Sequence, residues 1–212
     1  MKALTIPETR EMLLAAADAI IAQVDYLTEV DSAIGDGDHG IGMSGGMEKA
    51  KEALGKLESP PDINTLFKSM GMAMLNSMGG ASGVIFGTLF IGAVKGLESK
   101  TELDCGTFAD MQRRALNAIK ERGKAQVGDK TMVDALEPAV EAMEKAAPGE
   151  DLGQMLEEAA QAARQGMENT KAYVAKFGRA KSLMERAVGH QDAGATSVSI
   201  IFDAMRDYVK QS

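Results

Sequence analysis

The chain has 212 residues, 45% hydrophobic and 25% charged, with 31 acidic against 23 basic side chains and a formal net charge of −8. This is globular composition rather than that of a disordered chain, and the lack of a basic stripe interleaved with aromatics argues against a nucleic-acid surface. With 23 Gly and 15 Met, but only 6 Phe, 3 Tyr and no Trp, it favours helices packed through Ala, Leu and Met over a β-sandwich or barrel. Glycine inside a helix costs about 0.5–1 kcal/mol relative to Ala, so the glycines are expected in loops.

In chain order, Thr5 and Glu8 form a capping-box signature, with Pro7 tolerated in the first turn; Leu13, Ala17, Ile20, Ile21, Val24 and Leu27 then line one face. A Gly-rich stretch from Gly35 to Gly46 leads into a second, more polar helix ending near Lys56, before Pro60-Pro61. Asp62 caps a third, with Leu66, Phe67, Met70 and Met74 on its apolar face. After Gly79-Gly80-Ala81-Ser82-Gly83, a very apolar fourth segment runs from Val84 to about Leu97. Thr107 and Asp110 suggest the start of a fifth helix that stops at Gly123. A sixth runs from about Met132 to Ala147, with a kink expected at Pro138, and a seventh from about Leu152 to Phe177. An irregular stretch to Ala195 precedes the eighth, on which Val198, Ile201, Phe202 and Met205 align. The pattern predicts an all-α chain of about eight helices in one domain over residues 1–212, with no convincing strand.

The single cysteine, Cys105, excludes an intramolecular disulfide and fits a reducing compartment. The N-terminus lacks a signal-peptide pattern, and no apolar run approaches the roughly 18 residues of a membrane helix. The expectation is a soluble, cytoplasmic protein with neither membrane nor nucleic acid as partner.

The densest polar constellation is Asp31-Ser32-Ala33-Ile34-Gly35-Asp36-Gly37-Asp38-His39-Gly40. Carboxylates this close repel one another unless a cation offsets them, and an oxygen-only set suits a hard ion such as Mg²⁺; an ordinary solvated Asp–Gly turn is the plain alternative. An EF-hand starting at Asp36 fails, because Gly40, Ile41 and Met47 stand where the motif needs Asp or Asn, Gly and Glu. The two G-x-G-x-x-G matches follow a helix instead of a strand, and no P-loop signature occurs. Gly79 to Gly83 offers backbone N–H groups and the Ser82 hydroxyl at a helix start, where anions bind, or simply a tight connection. The loop from Gly123 to Met132 offers Lys124, Lys130 and Thr131, with Lys130 open between a phosphate contact and a surface charge. The last loop joins Arg179, a natural bidentate phosphate ligand, to Gly189-His190-Gln191-Asp192-Ala193-Gly194. These loops follow helices one, three, five and seven, so antiparallel packing brings all four to one rim. Carboxylates, backbone donors and an arginine gathered there suit a metal–polyphosphate ligand.

Taken together, Asp31…Gly35-Asp36-Gly37-Asp38-His39-Gly40, Gly79-Gly80-Ala81-Ser82-Gly83, Gly123-Lys124-Ala125…Gly128-Asp129-Lys130-Thr131-Met132, Gly178-Arg179-Ala180 and Gly189-His190-Gln191-Asp192…Gly194-Ala195-Thr196-Ser197 resemble the nucleotide-binding DhaL subunits of dihydroxyacetone kinases, in motif order and over essentially the whole chain. The resemblance implies a single-domain antiparallel eight-helix barrel with ADP or ATP at one rim. It implies that Asp31, Asp36 and Asp38 hold two Mg²⁺ ions, and that the nucleotide contacts fall on His39, Gly40, Ile41, Gly42, Ala81, Ser82, Gly123, Met132, Arg179, Asp192, Ala193 and Gly194. Two positions depart from the family pattern: Gly42 stands where many members carry Asn, and Ala193 where Pro is common. The implied activity is phosphoryl transfer from Mg²⁺-bound nucleotide to dihydroxyacetone or a similar small ketose.

The family binds its triose on a separate DhaK-type subunit or domain. A chain holding only the nucleotide half therefore implies that partner and favours the branch recharged by a DhaM-type phosphocarrier. A split ATP-dependent ketose or tetrose kinase, the nucleotide domain of a fatty-acid kinase and a non-catalytic nucleotide sensor are the alternatives; a homodimer is left open.

Overall fold

A computed structural model describes residues 1–212. Its helices are α1 (Ile6–Ala22), α2 (Val24–Ser32), α3 (His39–Gly55), α4 (Ile63–Ser77), α5 (Gly80–Val94), α6 (Cys105–Gly123), α7 (Val133–Ala146), α8 (Leu152–Asn169) and α9 (Ala193–Gln211). Gln23 divides what the sequence suggests as one helix, so α1 and α2 together occupy one position of the barrel. Each helix packs on the next in sequence, and α9 returns to α1, closing an eight-position antiparallel ring. No helix is long and apolar enough to cross a membrane.

Local chemistry explains the boundaries. The Thr5–Glu8 capping box forms as expected, and Asp62 caps α4 by accepting from the Thr65 N–H at 2.8 Å. The cap of α6 is Asp104, which accepts from the Thr107 N–H at 2.7 Å; the expected start at Thr107 with Asp110 is corrected by one turn. α8 ends at Asn169, well short of Phe177, and short 3₁₀ turns follow over Thr170–Ala172 and Arg179–Ala187. α7 continues through Pro138.

The expectation of no strand is also corrected. Ala3–Thr5 (β1) pairs antiparallel with Glu102–Asp104 (β2), with Leu4 opposite Leu103. Three residues are too few to display a period of two, and each strand ends at the cap of a helix.

The larger correction concerns glycine. Most glycines lie inside helices; α3 starts at His39, so Gly40, Gly42, Gly45 and Gly46 belong to it, and α5 contains Gly80, Gly83, Gly87 and Gly92. Several mark close helix approaches. A Cβ at Gly46 would strike the Met78 side chain, one at Gly71 would lie 2.7 Å from the Gly87 carbonyl, and one at Gly166 would collide with the Asp134 carbonyl. Pro138, lacking an N–H, cannot donate to that Asp134 carbonyl, and α8 fills the space with Gly166. The core is one apolar cluster of 51 residues, with Phe67 touching both Phe90 and Phe108 at ring separations of 6.3 and 6.4 Å.

Candidate functional site

The loop between α2 and α3 brings together the carboxylates of Asp31, Asp36 and Asp38, with one oxygen from each lying within 4.8 Å of the others. Asp31 is fixed by its position on the last turn of α2, where its Oδ2 accepts from the His39 N–H at 3.2 Å. Gly35 sits so close to the Asp31 side chain that any Cβ there would collide with it. Asp38 precedes α3 but makes no cap hydrogen bond, so its carboxylate stays directed to the cluster. Its pKa is pushed up by loss of solvent and then by the charges of Asp36 and Asp31, with Arg179 pulling it down. Arg179 supplies the compensating charge, its Nε lying 2.6 Å from an Asp36 oxygen. Three converging carboxylates with one arginine beside them make an oxygen set fit for a hard divalent cation.

His39 is buried. Its Nε2 pairs with Ser197 Oγ at 2.8 Å, and its ring lies 6.0 Å from that of Phe86. Burial lowers its pKa, opposed by the Asp31 charge and a backbone contact with Ala193. The side chain thus ties α3 to α9 and α5, while its backbone N–H holds Asp31. Gly40 packs against α2, where a Cβ would strike the Val24 carbonyl and Thr28. Ile41 is exposed, and Gly42 has no neighbour within 4 Å of where a Cβ would stand.

The last loop meets this one through Arg179, and the other two lie at the same end of the antiparallel ring. Gly79 has no side chain to cap α5, and the exposed Gly79–Ala81 turn leaves the first N–H groups of the helix without the usual side-chain partner; Ser82 lies in that turn. Gly123, the last residue of α6, stands near Ile85 of α5. Met132 is buried before α7, and Gly194 is packed against it. Asp192 caps α9 by accepting from the Ala195 N–H at 2.8 Å, and Ala193 is buried behind it. Burial pushes the Asp192 carboxyl up to about 7; the Asp134 charge adds to this, while backbone hydrogen bonds and Lys130 oppose it. The N-termini of α3, α5, α7 and α9 therefore share one rim with the carboxylates and Arg179, and their positive dipole ends favour an anion there.

Of the residues singled out in the sequence, Asp31, Asp36, Asp38 and Arg179 form one contacting group, and Met132 and Gly194 another. His190 keeps an exposed side chain, while its carbonyl accepts from Lys130. Both readings of Lys130 are corrected: it neither faces solvent nor points to a phosphate site, being 1% exposed and bonded to backbone carbonyls. Sequence reasoning also missed Asp134, a buried acid that accepts from the Gly128 and Thr131 N–H groups at 2.5 and 2.7 Å, and Ser197 as the partner of His39. A D-x-x at a helix start signals the first; nothing local signals the second.

The DAK2 domain pattern matches residues 33–207. The chain belongs to the DhaL-type DAK2 domain family. The domain is 41% identical over 179 residues to the "PEP-dependent dihydroxyacetone kinase 1, ADP-binding subunit DhaL" of Listeria innocua, covering 84% of each chain. It is 37% identical over 194 residues to the DhaL subunit of the PEP-dependent dihydroxyacetone kinase of Escherichia coli, covering 91% of this chain and 92% of that one. Among solved structures, the DhaL-type fold superposes with a TM-score of 0.74 and 25% identity on the dihydroxyacetone kinase from C. freundii in complex with AMP-PNP and Mg²⁺. The match covers 94% of this chain but 33% of that one, so the domain spans about a third of that kinase.

Proposed function

We propose that residues 1–212 act as one nucleotide-binding domain, the ADP-binding subunit of a PEP-dependent dihydroxyacetone kinase in the cytoplasm. The observation that carries this reading is the Asp31–Asp36–Asp38 convergence beside uncapped helix N-termini, with Arg179 reaching into it. The subunit names of the two relatives and the nucleotide and Mg²⁺ in the superposed kinase support it.

In this reading Asp31, Asp36 and Asp38 would hold two Mg²⁺ ions, which would supply positive charge against the phosphates of the nucleotide. Gly40 and Ile41 in the first turn of α3, with Ala81 and Ser82 in that of α5, offer backbone N–H groups to the phosphates, while the His39 N–H stays on Asp31 and the Gly42 N–H on the Asp38 carbonyl. Gly123, Met132 and the Asp192–Gly194 turn border the rest of the nucleotide. Arg179 leaves Asp36 to stabilise charge on the transferred group, and no nucleophile is required of this chain, because phosphoryl transfer depends on positioning and electrostatics. The accepting hydroxyl belongs to dihydroxyacetone on a DhaK-type subunit, and a DhaM-type phosphocarrier recharges the bound ADP. Ile41, exposed in the first turn of α3, and Met184 and Val188, exposed in the stretch before α9, give such partners apolar surface.

Adding Mg²⁺ and ADP is expected to raise the melting temperature of the chain by several degrees, with no rise in Asp36→Asn or Asp38→Asn variants. Reconstitution with a DhaK-type subunit and a phosphoryl source is expected to yield triose phosphate; none formed with any source would sink the reading. ADP retained through purification, seen by native mass spectrometry, selects the phosphocarrier over free ATP.

A further inference from the structure

Lys130 combines two unusual properties. Its side chain is enclosed among the largest in the core, and its backbone lies in the left-handed region at φ 60°. A non-glycine residue stays in that conformation only where its surroundings impose it, and such positions concentrate at functional sites. The ammonium donates to the Thr170 carbonyl at 2.6 Å and to the His190 carbonyl. No carboxylate lies within ion-pair distance of it; Asp192 and Asp134 act on its charge from further away, against the desolvation that lowers its pKa.

The same two chain segments are cross-linked around it. The Asp192 N–H donates to Thr170 Oγ1 at 2.9 Å, and the Gly189 N–H to the Lys171 carbonyl at 2.7 Å. On the other side, Asp134 holds the Gly128 and Thr131 N–H groups, and Lys176 pairs with the Asp129 carboxylate at 2.6 Å. A buried cation thus joins the loop before α7, the end of α8 and the turn that caps α9. Replacing it with an apolar side chain leaves the His190 carbonyl without its donor and the Thr170 carbonyl with the Tyr173 N–H alone, at the point where that turn is fixed.

We propose, on the nucleotide reading above, that Lys130 is a positioning residue for the nucleotide: its ammonium holds the His190–Asp192 turn against α8 and so sets the Ala193–Gly194 N-terminus of α9 at the rim. Lys130 touches neither nucleotide nor metal. It pre-forms the site, so its loss lowers affinity beyond what its effect on folding explains.

The test uses the full chain as Lys130→Met and Lys130→Arg, with Met143→Ala, a buried α7 core position, as a stability control. Without nucleotide, amide hydrogen exchange at Gly189 and Asp192 is expected to accelerate at least tenfold in Lys130→Met. Calorimetry is expected to show Mg²⁺–ADP affinity reduced tenfold or more. Lys130→Arg, which keeps donors, is expected to recover most of both, and Met143→Ala to keep ADP affinity within twofold despite a lower melting temperature. Wild-type ADP affinity in Lys130→Met, or an equal loss in Met143→Ala, overturns the proposal. Should Lys130→Met not fold, Thr170→Val removes only the hydroxyl that receives the Asp192 N–H; a change of about threefold in both readouts supports the proposal, and wild-type values overturn it. A wild-type chain that binds no Mg²⁺–ADP overturns the nucleotide reading, whereas the exchange rates, read without ligand, still decide whether Lys130 holds the turn.

Discussion

Arg179 and Asp36 form an ion pair at 2.6 Å that bridges the first and last loops of the rim, with 70% of the arginine side chain still in solvent. An exposed pair of this kind contributes little to stability, so the arginine is free to exchange Asp36 for a phosphate at small cost. Arg179→Ala is expected to leave the melting temperature nearly unchanged and to tighten binding of Mg²⁺ alone, because a like charge is removed from beside the ligands. Turnover with the reconstituted kinase is expected to fall by roughly 10²–10³-fold, in line with the loss of a transition-state arginine. Isothermal titration with MgCl₂ and a triose phosphate assay read the two effects separately; wild-type turnover would remove Arg179 from the chemistry.

Two helix glycines should respond oppositely to alanine. At Gly166 the added methyl meets the Asp134 carbonyl and comes to 3.0 Å from the Ala135 Cα, both backbone atoms that cannot step aside. Gly166→Ala is expected to destabilise the chain by about 2–4 kcal/mol through separation of α7 from α8. At Gly42, with no neighbour in reach, Gly42→Ala is expected to stabilise by about 0.5–1 kcal/mol. On the proposed nucleotide reading, Gly42→Asn adds a polar side chain toward the phosphates and is expected to raise ADP affinity. Urea denaturation and ADP titration distinguish these outcomes.

Ala193 opens α9, a position where proline is favoured, because the first helical N–H has no intrahelical acceptor. Ala193→Pro is expected to add about 0.4–1 kcal/mol by restricting the unfolded chain and stiffening the rim. A lower denaturation midpoint would show that the Ala193 backbone does not match the ring's fixed φ.

Asp192 carries a pH signature. Its carboxyl titrates near 7 in the fold, above the roughly 3.9 of an unfolded chain. Between these values the native state binds more protons than the unfolded state, so the contribution of Asp192 to stability is present below about pH 4 and lost as pH rises through 7. Asp192→Asn keeps an acceptor for the Ala195 N–H and has no such dependence. The variant is therefore expected to gain on the wild type as pH is raised from 4.5 to 7, by at most ~1.4 kcal/mol per unit. A constant difference across that range would show that Asp192 is ionised throughout.

The acidic cluster was legible in the sequence because its members lie within eight residues, so local chain geometry alone can bring Asp31, Asp36 and Asp38 together. The shared rim followed from the alternation of antiparallel helices. Reasons located elsewhere in the chain were not legible. Gly46 is glycine because of Met78, and Gly166 because of Asp134. Lys130 resembles any loop lysine until Thr170 and His190, 40 and 60 residues further on, close over it. The two strands were missed because Leu4 and Leu103 owe their pairing to the closed ring, with no repeat of their own to reveal it.

Closure of that ring has a consequence for synthesis. Helices α3 to α8 each find a neighbour already made, but α1 and α2 wait for α9 on their other side, and His39 waits for Ser197. A nascent chain therefore carries its acidic loop while the 158 residues from His39 to Ser197 are added, before the opposite wall exists. On the proposed nucleotide reading, ADP is gripped only once α9 has closed the ring.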